Sequence, residues 1–159
     1  RKELRDLAFA AVLHDIGKLV VFERVLNKPD ALDDDEWEIF KSHPEIGAAI
    51  IENMEFLADA VPFVRHHHER YDGNGYPSGL KGEDIPFGAR IITVADAFDA
   101  MTTDRSYRKA LSREIALNTM AAKAGSQFDP KAMEAFMELI EVDDFHPRQN
   151  GDSASHDLL

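Results

Sequence analysis

The chain has 159 residues, 44% hydrophobic and 30% charged, with no cysteine. That length allows one domain with a proper core, and the composition excludes disulfides, thiolate metal sites and a cysteine nucleophile. A net charge of −12 excludes general affinity for DNA or RNA, which depends on neutralising phosphates, so any anionic ligand must be drawn by something local such as a divalent metal. No apolar run approaches the ~18–20 residues of a membrane span and no signal-peptide pattern opens the chain, so a cytoplasmic setting is expected.

Leu4, Leu7, Ala8, Ala11 and Val12 follow helical spacing into His14-Asp15, and Gly17 is expected to end that helix. Residues 18–32 read as a connector marked by Asn27-Lys28-Pro29. The acids Asp33 to Glu36 suit a helix N-terminus, and Trp37 and Phe40 follow at i, i+3. After Pro44 the pattern predicts a helix from Ile46 to Met54. Leu57, Ala60, Val61 and Val64 then form one stripe of a helix over 56–68 that ends at the histidines. Segment 69–87 reads as a long ordered loop, because Tyr71, Tyr76, Pro77 and Leu80 give it side chains to pack. Helical spacing resumes from Gly88 to Thr103, and Ser112 caps a helix to about Ala124. Asp129-Pro130 supplies an N-cap and an N1 proline for the last helix. No period-two alternation is found. The expectation is an all-α bundle over residues 1–142 with a polar tail, 143–159.

Residues 66–79 read HHHERYDGNGYPSG. Basic residues suit a helix C-terminus, yet neighbours on a helix point about 100° apart, so three adjacent imidazoles cannot share one environment. The side chains able to hold metal are His14, Asp15, His43, His67, His68 and Asp96, with Asp99 one turn further on. They fall at or near the ends of different helices, and bundles build metal sites where such side chains converge. Imidazole and carboxylate without sulfur suit iron, manganese, zinc or nickel better than calcium.

Val12-Leu13-His14-Asp15-Ile16-Gly17-Lys18 resembles the signature of HD-domain metal phosphohydrolases. The run HHERYDGNGYPSGLKGEDIP is similar to the HD-GYP family, with Gly75-Tyr76-Pro77 as its name-giving triplet. RIITVADAFDAMTTDRSYRKA and GSQFDP follow in the family's order, so the resemblance covers residues 8 to 137. It implies an HD-domain helical bundle with the 69–87 loop beside the metal site. It also implies hydrolysis of cyclic di-GMP to the linear dinucleotide pGpG, and in some members to GMP, in bacterial signalling. His14, Asp15, His43, His67, His68 and Asp96 become the ligands of two divalent ions, iron or manganese before zinc or nickel. The register leaves His66 as the extra histidine, while His146 and His156 fall in the tail. Lys18 matches a lysine on the scissile phosphate, Arg105 and Arg108 match nucleotide-holding positions, and Asp99 is a candidate for orienting a ligand or moving a proton. The family is also proposed to dock cyclic-di-GMP synthase (GGDEF) domains, here through the Gly75-Tyr76-Pro77 loop. It carries a further histidine or glutamate ligand on a helix upstream of the HD pair, expected to lie outside this sequence. The alternatives are an HD phosphohydrolase for another nucleotide and a docking module without turnover.

Overall fold

The computed structural model describes residues 1–21, 33–104 and 108–145, with 142–145 described by backbone alone. Helix α1 (Lys2–Leu13) runs into His14 and Asp15, and a 3-10 turn over Ile16–Leu19 follows. Helices α2 (Asp34–Lys41) and α3 (His43–Ile51) meet at Ser42. A 3-10 turn (Glu55–Leu57) leads to the short α4 (Val61–His66), and the glycine-rich loop then reaches α5 (Phe87–Thr102). Helices α6 (Arg113–Ala121) and α7 (Pro130–Phe145) complete the described chain. Among the described residues there is no strand, and Ala124 and Phe128 form an isolated bridge. None of their helices is long and apolar enough to cross a membrane.

Local chemistry accounts for most boundaries. Asp33 and Glu36 close a capping box on α2, each side chain bonded to the other's backbone N–H at 2.9 and 3.0 Å. Ser112 caps α6 through the Ile115 N–H, and the Asp129 carboxylate accepts from the Lys131 N–H at the start of α7. Two helices differ from the sequence pattern because of proline. Pro44 lies in the first turn of α3, which therefore starts at His43 rather than Ile46. Pro62 lies in the first turn of α4, so the 56–68 stripe divides into a 3-10 turn and a short helix, with Leu57, Ala60 and Val64 still buried. At the far end α7 continues through Phe145, and residues 146–159, with His146 and His156, lie outside the described residues.

The α1 face is also corrected. Leu4 and Val12 are 71% and 83% exposed, while Asp6 and Ala10 are buried and Leu7, Phe9 and Leu13 pack on the core. Residues 7–13 are apolar all round, so periodicity could not select a face. Gly17 does not end α1, which stops at Leu13. It sits in the 3-10 turn, where a Cβ would stand 2.0 Å from the His43 carbonyl oxygen and 2.7 Å from the Gly47 nitrogen. Only a glycine lets this turn lie against α3.

Two apolar clusters hold the bundle. Ala10, Ile51, Leu57, Ala60, Val64 and Ile92 form one, and Val94, Met120, Phe128, Ala132 and Met133 form the other. Helix α5 serves both, Ile92 entering the first and Val94 the second. Burying a side chain such as Phe128 contributes about 1.5–3 kcal/mol. A 2.5 Å pair between Arg90 on α5 and the buried Asp129 joins α5 to α7.

Candidate metal centre

Three segment ends converge at one point. Asp15 comes from the turn after α1, His43 opens α3, and His67 and His68 follow α4. One ligand atom from each of these four residues lies within 4.8 Å of all the others. His14 and Asp96 adjoin them: His14 Nε2 is 3.4 Å from Asp15 Oδ2 and 3.8 Å from Asp96 Oδ1. The two oxygens of Asp15 therefore face different partners, Oδ2 toward His14 and Oδ1 toward His43 (3.3 Å) and His67 (4.0 Å).

One local device aims three of the imidazoles. His14 Nδ1 is 2.8 Å from the Ala11 carbonyl, His43 Nδ1 2.7 Å from that of Phe40, and His67 Nδ1 2.7 Å from that of Val64. A carbonyl only accepts, so each Nδ1 carries a proton and each ring turns its Nε2 to the centre. Metal-ligating histidines are oriented in this way. His67 is held further by α5, where the Thr93 hydroxyl is shared between the His67 carbonyl at 2.7 Å and the Ala89 carbonyl at 2.9 Å.

The Nε2 atoms of His43 and His68 are 3.2 Å apart, within hydrogen-bond distance, and the Nε2 of His43 lies 3.3 Å from a carboxylate oxygen. Asp15 Oδ1 and His67 Nε2 are buried without a hydrogen-bond partner. A cluster of lone pairs this dense is stable around a positive charge and costly without one, so the donor set fits divalent cations.

The titration behaviour agrees for His67 and His68, while His14 favours its charged form. Burial opposes it, yet the Asp15 and Asp96 carboxylates raise His14 to about 10. Burial lowers His67 to about 4 and, with His67 and His43 alongside, lowers His68 to about 2. Asp15 is pushed upward by burial, but His14, His43 and Lys18 hold it well below the usual carboxylate range.

Lys18 joins the cluster, its Nζ 2.7 Å from Asp15 Oδ2 and 5.4 Å from the centre of the Phe40 ring. Asp99 is exposed, accepts from the Thr103 hydroxyl at 3.3 Å, and faces this partner rather than the histidines. Arg108 is also exposed and donates to the Ala100 carbonyl, while Arg105 lies outside the described residues. His66 is largely buried, with Nδ1 3.5 Å from Glu69 Oε1.

Sequence reasoning missed Glu69 and understated Tyr76. Glu69 is 1% exposed, and its two oxygens accept the N–H groups of Ser78 (2.7 Å) and Leu80 (3.1 Å), pinning the loop to the histidine segment. The loop is tied elsewhere too, the N–H groups of Tyr71 and Asp72 donating to the Gln127 and Ser126 carbonyls. At Gly75 a Cβ would meet the Arg70 nitrogen at 2.2 Å, so the chain passes close to itself there. The result lays the Tyr76 ring on His68, centroids 4.9 Å apart and planes 32° apart. Burial, then Asp96 and Asp15, raise the Tyr76 phenol above its ordinary range. A glutamate beside a histidine pair, followed by closely spaced glycines, was the available signal.

The chain is similar to known proteins in sequence and fold. The profile of the HD domain family matches residues 1–132. The chain is 42% identical over 138 residues to the cyclic di-GMP phosphodiesterase response regulator RpfG of Xanthomonas campestris, covering 86% of this chain and 36% of that protein. It is 40% identical over 154 residues to a cyclic di-GMP phosphodiesterase of Thermotoga maritima, covering 95% and 42%. It therefore spans about two fifths of the length of these relatives. The crystal structure of a cyclic GMP-AMP specific phosphodiesterase of V. cholerae has a TM-score of 0.68 at 26% identity, covering 91% of this chain and 40% of that one. By profile and relatives the chain belongs to the HD domain family, in its HD-GYP branch.

Proposed function

We propose that this chain is a metal-dependent phosphodiesterase that opens cyclic di-GMP to pGpG in the cytoplasm, with GMP as a further product. One observation carries the reading. Asp15 turns one oxygen to His14 and the other to His43 and His67, and its inner oxygen and the His67 Nε2 are buried with no hydrogen-bond partner. His14, Asp15, His43, His67, His68 and Asp96 would hold two divalent ions, iron or manganese before zinc or nickel. Such ions, when bound, supply a water of lowered pKa and positive charge against the phosphate oxygens.

The chain's own residues do the rest. Lys18, fixed against Asp15, offsets charge that develops on the phosphoryl oxygens. The Tyr76 phenol keeps its proton and so can donate to a substrate oxygen at the edge of the cluster. His14 holds a proton at neutral pH and gives it up when a cation takes its place. Asp99 is available for proton transfer to solvent at the exposed end of α5. Arg105 and Arg108 would hold the nucleotide, since the acidic surface cannot attract two phosphates. Hydrolysis adds one water across one P–O bond of the ring. A GGDEF-domain partner would meet the backbone of Gly75 and Pro77, because Tyr76 is half-buried against His68.

Purification without chelator, metal analysis and product chromatography test this reading. Turnover of cyclic di-GMP is expected to stop with chelator and return with manganese or iron(II). Asp15→Ala is expected to lose metal and turnover with an unchanged circular dichroism spectrum, and full activity in the metal-replete variant would overturn the assignment. Lys18→Ala should chiefly lower kcat and Arg105→Ala chiefly raise KM.

A further inference from the structure

One side of the metal centre is bounded by a closed circuit of rings. The His68 ring lies against Tyr76, and Tyr76 meets Trp37 edge-on, centroids 6.2 Å apart and planes 75° apart. Trp37 stacks on Phe40 at 5.5 Å and 11°. Phe40 lies beneath Lys18 and 5.1 Å from His43, which returns the circuit to the cluster. Within this circuit Trp37 is unusual. It is the chain's single tryptophan, 44% exposed, and belongs to neither apolar core. It also stands one residue past the capping box, which fixes the first turn of α2 beneath it. A large flat ring, rigidly mounted and half in water beside a cluster of metal ligands, adds little to folding.

We propose that Trp37 is the stacking platform for one purine base of the cyclic dinucleotide, with Tyr76 walling the edge of that subsite. The proposal rests on the phosphodiesterase reading above and adds a place for the base. Charge selects which part of the ligand faces Trp37. Asp34, Asp35 and Glu36 fill the first turn of α2 immediately before it, and they repel phosphate from this end of the circuit. A neutral purine meets no such penalty. Its π-face suits an indole, and a rigid ring loses little freedom when the base docks. The phosphodiester then lies toward Lys18 and the histidines, at the opposite end of the same circuit.

Because the fluorophore is unique, binding can be read apart from turnover. Metal-loaded protein is mixed rapidly with excess cyclic di-GMP while indole emission is followed, with inorganic phosphate as the comparison. Saturable quenching by the dinucleotide and none by phosphate is expected. In steady state Trp37→Ala should raise KM for cyclic di-GMP about tenfold or more with a much smaller change in kcat. Trp37→Phe, which keeps a flat ring, should return KM to within about threefold. Wild-type cleavage of methyl p-nitrophenyl phosphate, a diester without a purine, checks the hydrolase reading separately. Cleavage of that diester, no quenching and an unchanged KM in Trp37→Ala would overturn the platform and leave the hydrolase standing. Quenching by cyclic di-GMP without cleavage of either diester would do the reverse. Neither quenching nor cleavage would overturn both.

Discussion

At the scale of single residues the metal centre depends on which imidazole nitrogen carries the proton. Tying Nδ1 of His14, His43 and His67 to the carbonyl three residues earlier costs no additional partner, because a helix end leaves such carbonyls available. It has a consequence for protein stripped of metal. The folded state holds His67 at about 4 against an ordinary 6.5, so between these values the unfolded chain binds the proton and the folded chain does not. The contribution of His67 to the stability of chelator-treated protein is therefore complete above pH 6.5 and is lost as pH drops toward 4, by roughly 3 kcal/mol. His14, raised to about 10, is protonated in folded and unfolded states through most of that window and does not offset the fall. Urea unfolding at pH 7, 6 and 5 measures it. His67→Gln should reduce the slope, His68 supplying the remainder, and an equal slope in the variant would assign the effect elsewhere.

At the scale of elements, the site is made by how closely a few segments approach. The turn that presents Asp15 touches α3 at Gly17, and a Cβ there would overlap the carbonyl of His43, itself one of the converging histidines. Gly17→Ala is expected to cost about 1–3 kcal/mol through overpacking and to lower bound metal, since relief requires moving Asp15 away from His43. Gly82 is a useful contrast. A Cβ there meets nothing within 4 Å, although its φ of +61° penalises any other residue. Gly82→Ala should cost about 1–2 kcal/mol with metal content unchanged. Denaturant melts and metal analysis of both variants separate the effects, and equal metal loss would remove the distinction. The loop depends similarly on Glu69, which holds two of its N–H groups from a buried position.

At the scale of the whole molecule, α5 carries the coupling. It gives Ile92 to one core and Val94 to the other, presents Asp96 to the cluster and holds Asp129 through Arg90. Asp129 is 2% exposed and the Arg90 side chain 11%, so removing Arg90 leaves a buried carboxylate unpaired. Asp129→Ala is expected to destabilise the fold by about 3–5 kcal/mol, through the lost pair and the lost cap of α7. Metal analysis at a temperature where the variant is still folded should show undiminished loading, because the pair touches none of the six proposed ligands. A thermal midpoint equal to that of the parent would count against the pair as a link between α5 and α7.

The sequence by itself determined the helical architecture, the caps at Asp33, Ser112 and Asp129, and the set of histidines and aspartates that meet. Those signals are local: a cap and its N–H lie within three residues, and adjacent motif residues are read directly. Tertiary structure decided the rest. It chose the inward face of α1, where an all-apolar helix offered no preference and Phe9, Leu7 and Leu13 won over Leu4 and Val12. It turned Glu69 inward as an anchor and brought Trp37 and Tyr76, 39 positions apart in the chain, into edge contact beside His68. Such choices depend on which surfaces approach after the chain has folded back on itself, and no periodicity within one segment records them.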